Sequence, residues 1–147
     1  MSLRVAPALS AEDRALGRAI RHAVFVQEQA VPAELELDGL DEACQHFLAR
    51  VAGQAVATAR ARSTARGWKI ERVAVIPEQR GRAVGAALVR YMLGAAPEGL
   101  AVYVHAQESA LGFWQRLGFV AEGPGFVEAG IAHRLMVWTE RATQPAG

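Results

Sequence analysis

The sequence predicts an α/β fold in which a mixed, mainly antiparallel sheet is flanked by helices. Three observations carry this. The chain has 147 residues, of which 52% are apolar, enough for one domain with a real core. Three runs of strand character, Gln45 to Val51, Gln54 to Arg62 and a third opening at Trp68, are joined by brief turns and read as an antiparallel meander. The third run then passes through a Gly-containing turn into a helix and out into another strand. Such a unit crosses over right-handed, which makes its two strands parallel.

In chain order, Leu3 to Pro7 is the first strand. Ser10 is placed to cap a helix, with Glu12 and Asp13 in the first turn, where negative charge is favoured. Leu16, Ala19, Ile20 and Ala23 predict its buried stripe, and it should fade within Val24-Phe25-Val26. Gly53-Gln54 connects the first two meander strands like a hairpin, and Ala55, Ala57 and Ala59 alternate with Val56, Thr58 and Arg60. Ser63 to Gly67 is a polar turn. The strand from Trp68 stops at Pro77, and the helix after it runs to about Ala96, with Val84, Leu88 and Tyr91 or Met92 on one face. Pro97-Glu98-Gly99 marks a loop, Leu100 to His105 a second central strand, and Gln107 to Leu117 a helix ending at Gly118-Phe119. One domain is expected over residues 1–141, with a frayed tail over 142–147. There is no internal repeat or low-complexity tract.

The connection Gln79-Arg80-Gly81-Arg82-Ala83-Val84-Gly85 is small and basic. A strand that turns into a helix N-terminus there can hold phosphate. The first helical N–H groups lack backbone partners, and the helix dipole adds partial positive charge. Gly81 and Gly85 permit close backbone approach, and Arg80 and Arg82 can add charge-assisted bonds. The same residues also read as an ordinary junction with solvated arginines. Neither Gly-x4-Gly-Lys-Ser/Thr nor Gly-x-Gly-x-x-Gly occurs at this loop, so neither of those nucleotide folds is indicated.

A net charge of +1 argues against a dedicated nucleic-acid binder. The single cysteine, Cys44, cannot form an intrachain disulfide and suits a reducing compartment. No apolar run approaches the ~20 residues of a membrane span, and the N-terminus lacks a secretory apolar core. A cytoplasmic protein is expected. Cys44-x-His46 offers two ligands only, a weak zinc signal, and no metal is predicted.

The run Val73-Ala74-Val75-Ile76-Pro77-Glu78-Gln79-Arg80-Gly81-Arg82-Ala83-Val84-Gly85 resembles the acetyl-CoA loop of the GNAT N-acetyltransferases, whose pattern is Gln/Arg-x-x-Gly-x-Gly/Ala after a strand. Arg80, Ala83 and Gly85 fall on its defined positions, with Ala83 where Gly is usual. Arg21-His22-Ala23-Val24-Phe25-Val26-Gln27-Glu28-Gln29 resembles the opening of the ElaA/YjcF-like branch, followed here by Val31-Pro32, the acids Glu34 to Asp38, and His46. Ala110 to Phe119 resembles the family's Ala-x-x-Phe-Tyr-x-x-x-Gly-Phe, and Phe126 to His133 the branch's Phe-x-x-x-Gly-Ile-x-His ending.

The resemblance implies the GNAT acyl-CoA N-acyltransferase fold, with about six to seven strands, and acetyl transfer from acetyl-CoA to a primary amine on a small molecule or peptide. It implies that Arg80, Gly81, Arg82, Ala83, Val84, Gly85 and Ala86 hold the pyrophosphate. It implies that Val73, Ala74 and Val75 pair with the pantetheine arm in a gap between splayed central strands. Gln107, Phe113 and Trp114 are expected on the cofactor's other side. The Arg21 to Pro32 segment is expected to wall the acceptor site. The acids Glu34, Glu36, Asp38, Asp41 and Glu42 read as a solvated loop or, as a cluster, as an attractor for a cationic amine. A homodimer is left open.

An amine arriving protonated needs a base. Glu71 is the first candidate, because strand alternation puts it on one face with Val73 and Val75. It equally reads as the ion-pair partner of Arg60 or Arg72. Glu28 and His133 are the other candidates. The family often protonates the departing thiolate with a Tyr where this chain has Trp114, and an indole N–H is no acid for that step. Water, the acceptor ammonium through solvent, Tyr103 and His105 remain. A free thiol has a pKa of about 8.5, so a strong acid is not required. A non-catalytic CoA-binding module is the alternative function, and a binding module for another phosphate ligand or RNA a weaker one.

Overall fold

The computed structural model describes residues 2–140, and the tail over 142–147 lies outside them. Seven strands form one sheet: β1 Leu3–Pro7, β2 Gln45–Val51, β3 Gln54–Thr64, β4 Gly67–Val75, β5 Val102–Gln107, β6 Phe119–Glu128 and β7 Ile131–Trp138. Their spatial order is β1-β2-β3-β4-β5-β7-β6. Every neighbouring pair is antiparallel except β4 and β5. This is the mixed, mainly antiparallel sheet that the meander and the crossover predict.

The α-helices are α1 Ala11–Arg21, α2 Ala33–Glu36, α3 Val84–Ala95 and α4 Leu111–Arg116. On α3, Val84, Leu88 and Met92 are buried on one stripe, and Tyr91 points outward. They pack with Trp68, Ile70, Val102 and Val104 of the central strands. On the opposite face, Ile20 and Val24 pack with Leu48 and Ala74.

Several boundaries differ from expectation, each for a local reason. Ser10 does cap α1, accepting from the Asp13 N–H at 3.0 Å. The helix is rotated from the expected stripe, however. Leu16, Ala19 and Ala23 face solvent, while Gly17, Ile20, Arg21 and Val24 turn inward. Gly17 explains the rotation: a Cβ there would lie 2.8 Å from Thr58 Oγ1, so the backbone of α1 rests directly on β3. The helix does not fade at Val24. It widens into a π-helix over His22–Glu28, closed by Gln29 N–H donating to Val24 O. Strand β5 begins two residues late, and the helix expected from Gln107 splits into a 3-10 turn, Glu108–Ala110, and α4. Strands β6 and β7 were not delimited from sequence. Gly123-Pro124-Gly125 interrupts β6 where its register to β7 shifts, and β6 is an edge strand, where proline is tolerated.

Candidate functional site

Two features of β4 open the site. First, β4 and β5 pair only from Trp68 to Ile70 against Val102 to Val104, while β4 runs on to Val75 and β5 to Gln107. The strands part beyond Ile70. Second, β4 carries an extra residue where its register to β3 shifts, and Arg72 takes φ 56° there. The bulge reverses the side-chain alternation. Ile70 before it and Val73 and Val75 after it pack toward the α3 core, while Ala74 packs toward α1. Glu71 therefore does not share a face with Val73 and Val75, which corrects the alternation argument made for it.

The backbone of β4 faces the gap in a defined way. The Ile76 N–H bonds Val56 O on the β3 side. Successive peptide groups alternate edges, so the N–H and C=O of Val73 and Val75 point to the β5 side, where no strand meets them. Val75 O accepts from Arg80 Nε at 3.0 Å, and among the described residues no strand pairs with Val73 on the β5 side.

The loop after β4 makes a 3-10 turn over Pro77–Gln79 and enters α3 through Gly81, φ 76°, and Ala83, φ 62°. The first helical bond of α3 runs from the Ala87 N–H to Ala83 O, so the N–H groups of Val84, Gly85 and Ala86 have no helical carbonyl. All three residues line the cavity. Gly81 is required by conformation, since a Cβ there would meet nothing. At Gly85 a Cβ would come to 3.4 Å from both Phe113 and Val75, so the start of α3 sits in close contact with both. Arg80 grips Glu28 with both terminal nitrogens at 2.6 Å, and that pairing holds the Glu28 carboxyl below its ordinary range.

A cavity of about 970 Å³ runs through the gap. On the α3 side it meets Arg80, Gly81, Ala83, Val84, Gly85, Ala86 and Phe113. On the α1–α2 side it meets a dense charge network. Arg60, buried, donates to Glu71 at 2.6 and 2.9 Å, to Asp38 and to Asp41. Glu71 Oε1 also takes Arg62 Nε at 2.8 Å and Lys69 Nζ at 3.2 Å. Burial pushes Glu71 up, but Lys69 and Arg60 outweigh it and hold the carboxyl low. Arg21, also buried, joins Glu36 and Asp41, and Arg72 bridges Glu36 and Asp38. Of the acids that could have attracted a cationic amine, Glu36, Asp38 and Asp41 are thus engaged by arginines, while Glu34 and Glu42 are exposed.

The third wall comes from β5 and the β6–β7 hairpin. His133 is buried, and its Nδ1 lies 2.6 Å from Ile131 O. A carbonyl only accepts, so Nδ1 carries the proton and the neutral ring keeps its lone pair on Nε2. Nε2 lies 3.9 Å from Glu128 Oε2, and Phe126 stacks on the ring. Glu128 Oε1 meets His105 Nδ1 at 3.2 Å, which lowers the Glu128 carboxyl.

The cavity brings together Glu71, Val73, Ala74, Val75, Arg80, Gly81, Ala83, Val84, Gly85, Ala86, Gln107, Phe113, Trp114 and His133. It does not bring in Arg82, which is exposed outside it, nor Glu28, which reaches it only through Arg80. Tyr103 lies where β4 and β5 are still paired, and its hydroxyl shares a 2.6 Å hydrogen bond with Thr64. Gln107 donates to Gln29 at 2.9 Å across the opening. Trp114 packs edge-on against Phe113 and Phe119. Cys44 and His46 bond loop carbonyls of Leu40 and Asp41. Sequence reasoning missed Arg62, Lys69 and Glu128. The signal for the first two was available, since β3 and β4 alternation sets Arg60, Arg62, Lys69 and Glu71 on one face.

The same architecture recurs in known proteins. The family model for the acetyltransferase (GNAT) domain matches residues 5–140. The Bacillus subtilis protein named N-acetyltransferase YjcF is 33% identical over 121 residues, covering 80% of this chain and 86% of the relative. The crystal structure of an acyl-CoA N-acyltransferase from Pseudomonas aeruginosa superposes with a TM-score of 0.82 at 29% identity, over 92% of this chain and 99% of that one. Escherichia coli ElaA superposes with 0.79 at 27% identity, over 92% and 97%. A parted pair of central strands beside an open helix N-terminus, with that match over nearly the whole chain, means that the chain belongs to the GNAT acetyltransferase family, with YjcF and ElaA among its relatives.

Proposed function

We propose that this chain transfers an acetyl group from acetyl-CoA to a primary amine by direct attack, with both substrates bound together. The observation that carries the reading is the parting of β4 and β5 directly beside the uncapped N-terminus of α3. Acetyl-CoA, when bound, supplies the activated acyl group. The N–H groups of Val84, Gly85 and Ala86 suit its pyrophosphate, with the dipole of α3 behind them. The open N–H and C=O of Val73 suit an extended, amide-containing arm. Phe113 and Gly85 shape the wall between them.

Holding the amine in one cavity with the acyl donor contributes a large part of any rate, because orientation is settled on binding. Of the candidate bases, His133 is best prepared. Its Nδ1–H is fixed on a carbonyl, the residue lines the cavity, and Glu128 near Nε2 can stabilise the imidazolium. Glu71, bonded on both oxygens by three cations, serves as an anchor for that wall. Glu28 is held by Arg80. A second reading, a CoA-binding module without turnover, draws on Trp114, whose buried ring offers no acid to the thiolate.

Calorimetric titration with acetyl-CoA, with CoA and ATP as controls, tests the site. Micromolar acetyl-CoA binding, much weaker ATP binding, and loss of both in Gly85→Glu are expected. Absence of binding to either CoA species would overturn the reading. A panel of primary amines then separates catalysis from binding alone.

A further inference from the structure

We propose that the acceptor is an amine that also carries a carboxylate, of the amino-acid class, and that Arg62 and Lys69 hold the carboxylate while the amine faces His133 and Glu128. The inference rests on the acetyl-transfer reading above and adds the class of acceptor to it.

The argument begins with what the acids already do. On the β3–β4 and α2 wall, both oxygens of Glu71 and both oxygens of Asp38 accept hydrogen bonds from the protein. These carboxylates have little capacity left for an incoming ammonium. The cations outnumber them: Arg21, Arg60, Arg62, Lys69 and Arg72 face Glu36, Asp38, Asp41 and Glu71, a surplus of one positive charge on the wall. The surplus has free donors. Arg62 uses only Nε, on Glu71, so among the described residues its two terminal nitrogens make no hydrogen bond. Among the described residues Lys69 Nζ makes one ion pair, also to Glu71, and its charge is felt at Glu128. Both side chains line the cavity and both are partly buried, where a charge-assisted bond is stronger than at the open surface. Two parallel N–H groups of a guanidinium match the two oxygens of a carboxylate.

The opposite wall has the other sign. Glu128 is the cavity's carboxylate on the β6–β7 hairpin, flanked by His105 and His133. The cavity thus has a cationic β3–β4 wall and an acidic, basic-nitrogen-bearing hairpin wall, joined across the paired part of β4 and β5 at Lys69, whose charge also reaches Glu128. A molecule with an anion and an amine a few bonds apart satisfies both walls at once. A polyamine satisfies only the hairpin and meets repulsion at Arg62 and Lys69.

The test compares matched acceptors with and without the carboxylate, such as lysine with cadaverine and phenylalanine with phenethylamine, with O-phosphoethanolamine against ethanolamine to separate carboxylate from phosphate. Acetyl-CoA turnover is read as kcat/KM. The carboxylated member is expected to be preferred by about tenfold or more, the size of one good charge-assisted bond. Arg62→Met should bring the ratio close to one without moving the Kd for acetyl-CoA, and Lys69→Met should reduce it independently in case Arg62→Met folds poorly. Equal or better turnover of the decarboxylated amines, or a preference that survives both substitutions, overturns the proposal and leaves acetyl transfer standing. A preference for the phosphorylated amine alone also overturns it. No turnover of any member overturns it as well, and if acetyl-CoA also fails to bind, the underlying reading falls with it.

Discussion

His133 and Glu71 both titrate and both meet the cavity, yet their surroundings fit them for different work. The Ile131 carbonyl fixes the tautomer of His133 and leaves Nε2 free, whereas Glu71 is consumed by Arg60, Arg62 and Lys69. His133→Gln is expected to lower kcat by about 10²-fold or more with the Kd for acetyl-CoA unchanged. Glu71→Gln is expected to act mainly on stability, costing about 1–3 kcal/mol, because it removes one of the three carboxylates bonded to buried Arg60 and the anion shared by Arg62 and Lys69. Steady-state kinetics beside urea unfolding separates the two, and the reverse pattern would make Glu71 the base. The residue types were legible in the sequence, but the division of labour was not, because it depends on partners such as Arg60 and Ile131 that only folding supplies. Ala83 gives a second prediction. It holds φ 62° at the cap of α3, a conformation costly for any residue with a Cβ. Ala83→Gly should relieve about 0.5–1 kcal/mol net of the entropy glycine loses, and raise the Tm by a few degrees.

Among the elements, α1 packs its apolar residues on the sheet but is tied to α2 by charge. Arg21 on the last turn of α1 is buried and meets Glu36 Oε2 at 2.5 Å, and Glu36 is buried too. Removing Arg21 leaves buried Glu36 with Arg72 as its remaining cation, an under-compensated desolvated charge that costs more than the pair contributes. Arg21→Met should therefore destabilise by about 3–5 kcal/mol, whereas the double change Arg21→Met with Glu36→Leu should recover much of it. Denaturant midpoints with unchanged slopes would check this, and a single change costing no more than the double would refute the clamp. The helices and most strands were readable because apolar spacing and caps are local signals: Ser10, Pro77 and the stripe of Val84, Leu88 and Met92 each stand where expected. The phase of α1 was not readable, because Gly17 against Thr58 is a contact across more than forty residues of chain. The bulge at Arg72 was not readable either, since nothing in Glu71-Arg72-Val73 announces an extra residue.

The whole molecule should be acid-labile in a defined direction. Asp38, Asp41, Glu71, Glu28 and Glu128 all have folded carboxyls held below their ordinary values of 3.8 for Asp and 4.5 for Glu. A depressed carboxyl contributes stability in full above its unfolded value and loses it as pH falls through the folded value. Stability set by these groups should be flat from about pH 7 to about pH 5 and then decline, most steeply for the buried network around Arg60. Urea midpoints across that range test it; a stability that rises below about pH 4 would contradict the network's contribution. Among the described residues no helix is long and apolar enough to cross a membrane.

The sequence by itself determined the order of the main elements from β1 to α4, the crossover between the central strands and the loop that opens α3. Each of these depends on residues close together in the chain: alternation, a proline stop, a glycine where φ must be positive, and the unpaired N–H groups that any helix start leaves. Tertiary structure alone decided which side chains share the acceptor wall. A single residue inserted at Arg72 turned Glu71 away from Val73, and pairing over long separations spent Glu36, Asp38 and Asp41 on Arg21, Arg60 and Arg72. Charge at a site depends on which groups are already bonded, and that sum is fixed only when distant segments meet.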